Sequence, residues 1–234
     1  MIIWAGVSSN DIGAIVEYYP SLPRPERIID SVQIPGRNGE LIFDSGAFAN
    51  YVQQYDIIII APKGRIAEYA NYVAAWLYGP TGYNKLHDSY DPDHYRMAHY
   101  SGQTDISTEL RRVGRSTVEF TCKPQRFRID GDATVTFESA GILYNPEKFD
   151  ALPIITVYGS GSGAISVAGT SVTLSAIDGY VTLDCDLQDA YKGLENKNAT
   201  ISAPTFPTLP PGGSAVSFSG GVTKIEVIPR WWTI

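Results

Sequence analysis

Cysteine is nearly absent from this 234-residue chain, and the two present, Cys122 and Cys185, stand 63 positions apart. Two distant thiols exclude a disulfide framework as the source of stability and suit a reducing compartment. No apolar run approaches the length of about eighteen residues that a spanning helix needs. The opening Met1-Ile2-Ile3-Trp4 also lacks a basic segment followed by a long apolar one, so a soluble protein outside the secretion route and without a membrane partner is expected. Charge is thin and cations are in the minority, with 18 Lys and Arg against 25 Asp and Glu and a net charge of −7. That balance excludes a surface-wide nucleic-acid footprint, which requires a clustered positive field. Arg111, Arg112, Arg115, Lys123, Arg126 and Arg128 are the local exception, opposed only by Glu119. They are expected to be solvated strand-face charges, or to pair with acids, rather than to bind phosphate. No self-similar period is present, which excludes solenoids and propellers.

Catalytic signatures are missing as well. There is no Gly-x-Ser-x-Gly elbow, and Gly159-Ser160-Gly161-Ser162-Gly163 lacks the Gly-Lys-Ser/Thr ending of a phosphate cradle and is expected to be a hairpin turn. Asp184 with Asp186, or Asp44 with Asp56, could serve as a glycosidase pair, but nothing in the sequence selects two carboxylates. The only histidines, His87, His94 and His99, lie with Asp88, Asp91 and Asp93 in thirteen residues. Their i, i+5 spacing fits neither a helical zinc pair nor a calcium loop. A polar turn followed by a strand Tyr95–Tyr100, with Tyr95, Met97 and His99 on one side, is expected instead. No catalytic residue, metal or cofactor is expected.

Aromatics and glycine are plentiful, with 12% aromatic residues, fifteen tyrosines and 22 glycines. A Tyr-rich, charge-poor surface suits protein contacts. Ile57-Ile58-Ile59-Ile60 is too continuous for a half-exposed strand and predicts a central strand covered on both faces. Ile66, Tyr69, Ala70, Val73 and Leu77 recur at helical spacing over Arg65–Tyr78, ended by Gly79-Pro80, with Trp76 at an angle that could touch a partner. Thr117–Cys122 and Ala133–Glu138 alternate as strands. Beyond Asn145-Pro146, short alternating runs broken by glycine predict a small all-β sandwich or barrel. Charge density falls from 30 of the first 140 residues to 13 of the last 94, which places a domain boundary at 138/139. The Pro204, Pro207, Pro210, Pro211 stretch reads as a loop between strands. Adjacent Trp231 and Trp232 should point to opposite faces of a final strand, or could present a sugar-stacking platform.

The order of several motifs resembles siphophage distal tail proteins. In the N-terminal part they are Pro35-Gly36-Arg37-Asn38-Gly39, Lys85–Arg96 and Phe120-Thr121-Cys122-Lys123-Pro124. In the C-terminal part they are Asn145-Pro146, Pro211-Gly212-Gly213 and Pro229-Arg230-Trp231-Trp232. The resemblance implies a mainly β chain: a β-rich, ring-forming α+β domain with one helix over 1–138, and a peripheral galectin-like β-sandwich over 139–234. It further implies a homo-hexameric ring at the virion tail tip, assembled in the host cytoplasm. That ring would contact the major tail tube protein, a tail-associated lysin or tail-tip protein and, in some phages, a receptor-binding protein, with no specific nucleic-acid binding. A ring needs two distinct patches per chain, and Phe43, Asp44, Tyr51, Tyr55 and Trp76 are the interface candidates. The chain has no room for an inserted carbohydrate-binding module of about 100 residues. The alternative is a module that itself binds host cell-wall polysaccharide through Trp231 and Trp232.

Overall fold

The computed structural model describes residues 1–102, 106–109 and 112–234. It is mainly β, with one α-helix among the described residues, and divides into two compact units, Met1–Arg126 with Ile234 and Phe127–Thr233. The division falls twelve residues before the boundary at 138/139 expected from charge density. Residues 135–137 form a strand that pairs inside the second unit, so backbone pairing and not composition decides where they belong.

The first unit contains β1 (Ile2–Trp4), β2 (Val7–Ser8), β3 (Ala14–Val16), β4 (Arg27–Gln33), β5 (Glu40–Phe48), β6 (Tyr51–Ile60), α1 (Ile66–Tyr78), β7 (Asn84–Asp88), β8 (His94–Tyr100), β9 (Ser107–Glu109) and most of β10 (Val113–Arg128). Its main sheet has the order β2-β1-β7-β8-β10-β6-β3, with β9 also on β10. Strand β6 lies second from the edge and alternates: Ile57 and Ile59 are fully buried, whereas Ile60 is 52% exposed. Coverage of the isoleucine run on both faces is therefore corrected. Only one face of β6 meets the core that Val73, Trp76 and Leu77 of α1 share with Ile2, Trp4, Leu86, Val118 and Phe120. Strands β4 and β5 form a separate two-stranded ribbon. Its turn follows from sequence: Pro35 presets the first corner, Gly36 adopts φ 81°, and the Arg37 amide donates to the Ile34 carbonyl at 3.1 Å, a type II turn.

The second unit contains β11 (Val135–Phe137), β12 (Gly141–Asn145), β13 (Ile154–Val167), β14 (Thr170–Asp184), β15 (Asp189–Lys192), β16 (Glu195–Asn196), β17 (Ile201–Ser202), β18 (Gly212–Ile228) and β19 (Trp232–Thr233). The order β11-β18-β13-β14-β15-β16, with β12 on β18 and β17 on β14, curls around a core of Ile155, Val157, Ile165, Leu174, Leu183, Ile225 and Val227. The three long strands must bend to enclose that core, and the glycines permit it. A Cβ on Gly221 would lie 1.8 Å from the Ser160 carbonyl oxygen, and one on Gly159 would lie 2.1 Å from that of Gly221. The Gly159–Gly163 segment is thus a bulged bend inside β13, with a register shift after Gly161, and not the expected hairpin turn. The turn itself is Ala168-Gly169, both at positive φ, as a two-residue hairpin loop requires.

Candidate assembly surface

Ribbon β4–β5 buries none of its large apolar side chains. Ile28, Ile29, Val32, Leu41, Ile42 and Phe43 are between 37% and 63% exposed. The register places Val32 opposite Leu41 and Phe43 opposite Asp30, so one face carries Val32, Leu41 and Phe43, while Ile29 and Ile42 lie on the other with Asp44. Asp44 is committed to the ribbon. It accepts from the Gly46 amide at 2.8 Å and from Arg27 Nε at 2.9 Å, and these bonds hold its carboxyl below the ordinary range. An isolated two-stranded hairpin is marginal in water. A long ribbon with aliphatic and aromatic side chains on both faces marks a surface for contact.

A groove of about 530 Å³ opens elsewhere in the same unit, where Val7, Asp11 and Ile12 meet Tyr69, Tyr72, Ala75 and Trp76 of α1. Trp76 is otherwise part of the core, and its indole N–H donates to the Val7 carbonyl at 3.2 Å. It also lines the groove, although it is only 6% exposed.

Tyr51 and Tyr55 leave the interface candidates altogether, because both are buried in a polar cluster behind the sheet. At its centre Arg96 and Asp88, each 1% exposed, pair at 3.0 Å. Arg96 Nε also donates to the Tyr51 hydroxyl at 3.1 Å, the Tyr55 hydroxyl donates to Asp88 at 2.6 Å, and Asp88 accepts the Tyr90 and Asp91 amides at 2.9 Å. Asp91 extends the cluster to Arg126 at 2.7 Å and His94 at 2.9 Å. Burial pushes the Tyr55 phenol well above its ordinary value, with the Asp88 charge adding to it. Burial opposes charge on Arg96, yet Tyr55, Tyr51, Asp88 and Asp91 together hold it protonated. This is the arrangement in which a buried ion is satisfied on several sides.

The histidines do not converge: His94 binds Asp91, His87 Nε2 lies 3.2 Å from the Pro92 carbonyl, and His99 packs edge-on to Tyr83. The carboxylates considered as glycosidase pairs are likewise engaged separately, Asp184 by Arg230 and Asp56 by the Thr117 hydroxyl. Four of the six cations of the basic strip are engaged within the chain. Arg115 meets Glu17, Arg126 meets Asp91, Arg128 meets Asp130 and Glu147, and Lys123 lies over the Tyr83 ring. Arg111 lies outside the described residues. In the second unit Trp231 is 5% exposed in the core, and Trp232 stacks on Phe149 at 4.5 Å with its N–H on the Asp150 carbonyl. Trp231 is therefore no sugar platform, and one Trp232 face is already covered.

Two carboxylates set the acid limit of the fold. Burial alone would raise Asp91 and Asp184, but Arg126 and His94 on the first, and Arg230 with the Leu187 and Asp186 amides on the second, outweigh it and hold both below the ordinary range. A depressed folded pKa stabilises the native state above the unfolded value, about 3.9 for Asp, and that stabilisation is lost as pH falls through the folded value. Urea midpoints should therefore hold steady between about pH 7 and pH 5 and fall below about pH 4. Asp184→Asn should lower the midpoint at neutral pH and flatten the acid limb.

Residues 15–122, which include the ribbon, α1 and the Arg96–Asp88 pair, match the phage tail protein RIFT-related domain. That span is a phage tail domain. The fold over the whole chain is that of the SPP1 Dit (gp 19.1) protein, whose structure is described as a paradigm of the hub adsorption apparatus in phages infecting Gram-positive bacteria. The two share 12% identity at a TM-score of 0.75, over 100% of this chain and 98% of that one. Chains of the phage P2 baseplate in its activated conformation, with Ca and with Sr, align more loosely, at 8% identity and a TM-score of 0.47 over 92% of this chain and 89% of theirs. No curated protein matches the sequence. The full-length fold is therefore shared with the SPP1 Dit protein, and residues 15–122 carry the phage tail domain.

Proposed function

We propose that this tail protein is the hub at the distal end of a siphophage tail. Six copies close into a ring through the first unit, joining the tail tube to the tail-tip adhesion apparatus. The major tail protein lies on one side of the ring and the tail-associated lysin or tail-tip protein on the other, with the second unit at the rim within reach of a receptor-binding protein. The copies assemble in the host cytoplasm and bind no nucleic acid specifically. The observation that carries this reading is the β4–β5 ribbon, an arm whose large apolar residues stay exposed among the described residues. A ring satisfies such an arm in every copy, because a head-to-tail contact that closes leaves no ribbon exposed. The carbohydrate-binding alternative loses its main support with the burial of Trp231.

Light scattering behind size exclusion tests the reading. The expected mass is about six times the 25.5 kDa chain, with a six-fold annulus in negative stain. A chain that stays monomeric at high concentration, alone and with tube protein added, would refute it.

A further inference from the structure

We infer that the groove between α1 and the Val7–Ile12 segment is the receptor for the β4–β5 ribbon of a second copy of this chain. The inference rests on the ring reading and names the two surfaces that would meet. The ribbon offers a face of Val32, Leu41 and Phe43 with Arg37 at its tip. The groove offers Val7, Ile12, Tyr69, Tyr72 and Trp76, with Asp11 at its margin. Neither Arg37 nor Asp11 is in an ion pair among the described residues. The two surfaces are therefore complementary twice over, apolar to apolar and a free cation to a free carboxylate.

Reach is also adequate. The nine residues of β5 span about 30 Å at about 3.3 Å each, enough for a ribbon rooted in one copy to lie across a groove in the next. Donor and acceptor are different surfaces of one chain, so the contact is heterologous and propagates in one direction until the ring closes. The outer face of β3 and β6, with Ile15 and Ile60 half-exposed, is the competing acceptor. Its carboxylates are already engaged within the chain, Glu17 by Arg115 and Asp56 by the Thr117 hydroxyl, whereas Asp11 has no such partner among the described residues.

Engineered disulfides discriminate between these acceptors, because the native thiols stay silent: Cys122 and Cys185 are buried, and burial pushes both to about 12. Chains carrying Phe43→Cys and chains carrying Tyr72→Cys are made separately, mixed before assembly, oxidised with copper phenanthroline and mapped by peptide mass. A 43–72 disulfide is expected at least about tenfold above the product formed when Ile15→Cys replaces Tyr72→Cys. The pair Asn38→Cys with Asn10→Cys, at the ribbon tip and beside Asp11, removes no apolar anchor and should cross-link even if Phe43→Cys weakens assembly. A six-membered ring without either product, or with the Ile15 product dominant, overturns the groove and leaves the ring standing. A monomer that forms no product at any concentration overturns both.

Discussion

Leu41→Thr combined with Phe43→Lys should convert the assembled tail protein into monomers while leaving the folded chain intact. Both side chains are exposed in the single chain, so their removal costs the monomer within about 0.5 kcal/mol, as surface changes generally do. The choice of residues protects the ribbon: Thr keeps β propensity opposite Val32, and Lys places an ammonium directly across from Asp30, a favourable cross-strand pair. In the proposed ring the same residues would be the apolar payload of every interface. Losing two such side chains removes about 1.5–3 kcal/mol each, or roughly a hundred- to ten-thousandfold in dissociation constant per contact. Scattering mass should fall from six chains to one with the melting temperature nearly unchanged. A mass that stays at six copies would remove the ribbon from the interface.

Arg96→Met should be the most destabilising single substitution in the first unit. Arg96 neutralises Asp88, which is 1% exposed, and contributes to the charge balance at Asp91, while its Nε satisfies the Tyr51 hydroxyl. Methionine fills much of the volume but strands a buried carboxylate, and breaking such a pair from one side costs about 3–5 kcal/mol. Tyr55→Phe removes one neutral donor from the same carboxylate and should cost about 1–2 kcal/mol. Arg128→Met breaks pairs with Glu147 and the largely exposed Asp130, and should cost about 1 kcal/mol or less. Hydrogen exchange read by mass spectrometry separates these effects. Arg96→Met should abolish protection in β7 and β8 and leave β13 and β14 as they were. Equal losses in both units, or an effect no larger than that of Arg128→Met, would contradict the assignment of Arg96 as the centre of the cluster.

Local pattern was enough for several elements because the forces that make them are local. The α1 stripe needs only 3.6-residue periodicity and a terminal Gly-Pro, and the structure places it at Ile66–Tyr78. Alternation with frequent glycine was enough for an all-β second unit, and adjacency was enough to expect one tryptophan inward, but only the structure shows that it is Trp231. The ordered motifs sufficed for the resemblance to tail proteins, since most of them mark turns or strand ends whose chemistry is written in consecutive residues, the Phe120–Pro124 run inside β10 excepted.

What required tertiary structure was every question of what lies on the far side of a strand. Four consecutive isoleucines carry no period, so only the sheet could show that Ile57 and Ile59 face the core while Ile60 faces out. Five residues of alternating glycine and serine suit a turn or a bulge equally, and the close passage of β18 past β13 decided for the bulge. Tyr51 and Tyr55 look like surface aromatics until Arg96 and Asp88 close over their hydroxyls, partners 33 to 45 positions away in the chain. The ribbon shows the same limit in reverse. Only the folded chain, with no second layer over β4 and β5 among the described residues, shows that their large apolar side chains stay exposed. Sequence alone determined the helix, several of the strands and the resemblance to tail proteins, because propensity and periodicity act over a few residues. Tertiary structure decided which faces are covered, because coverage depends on residues brought together from distant parts of the chain.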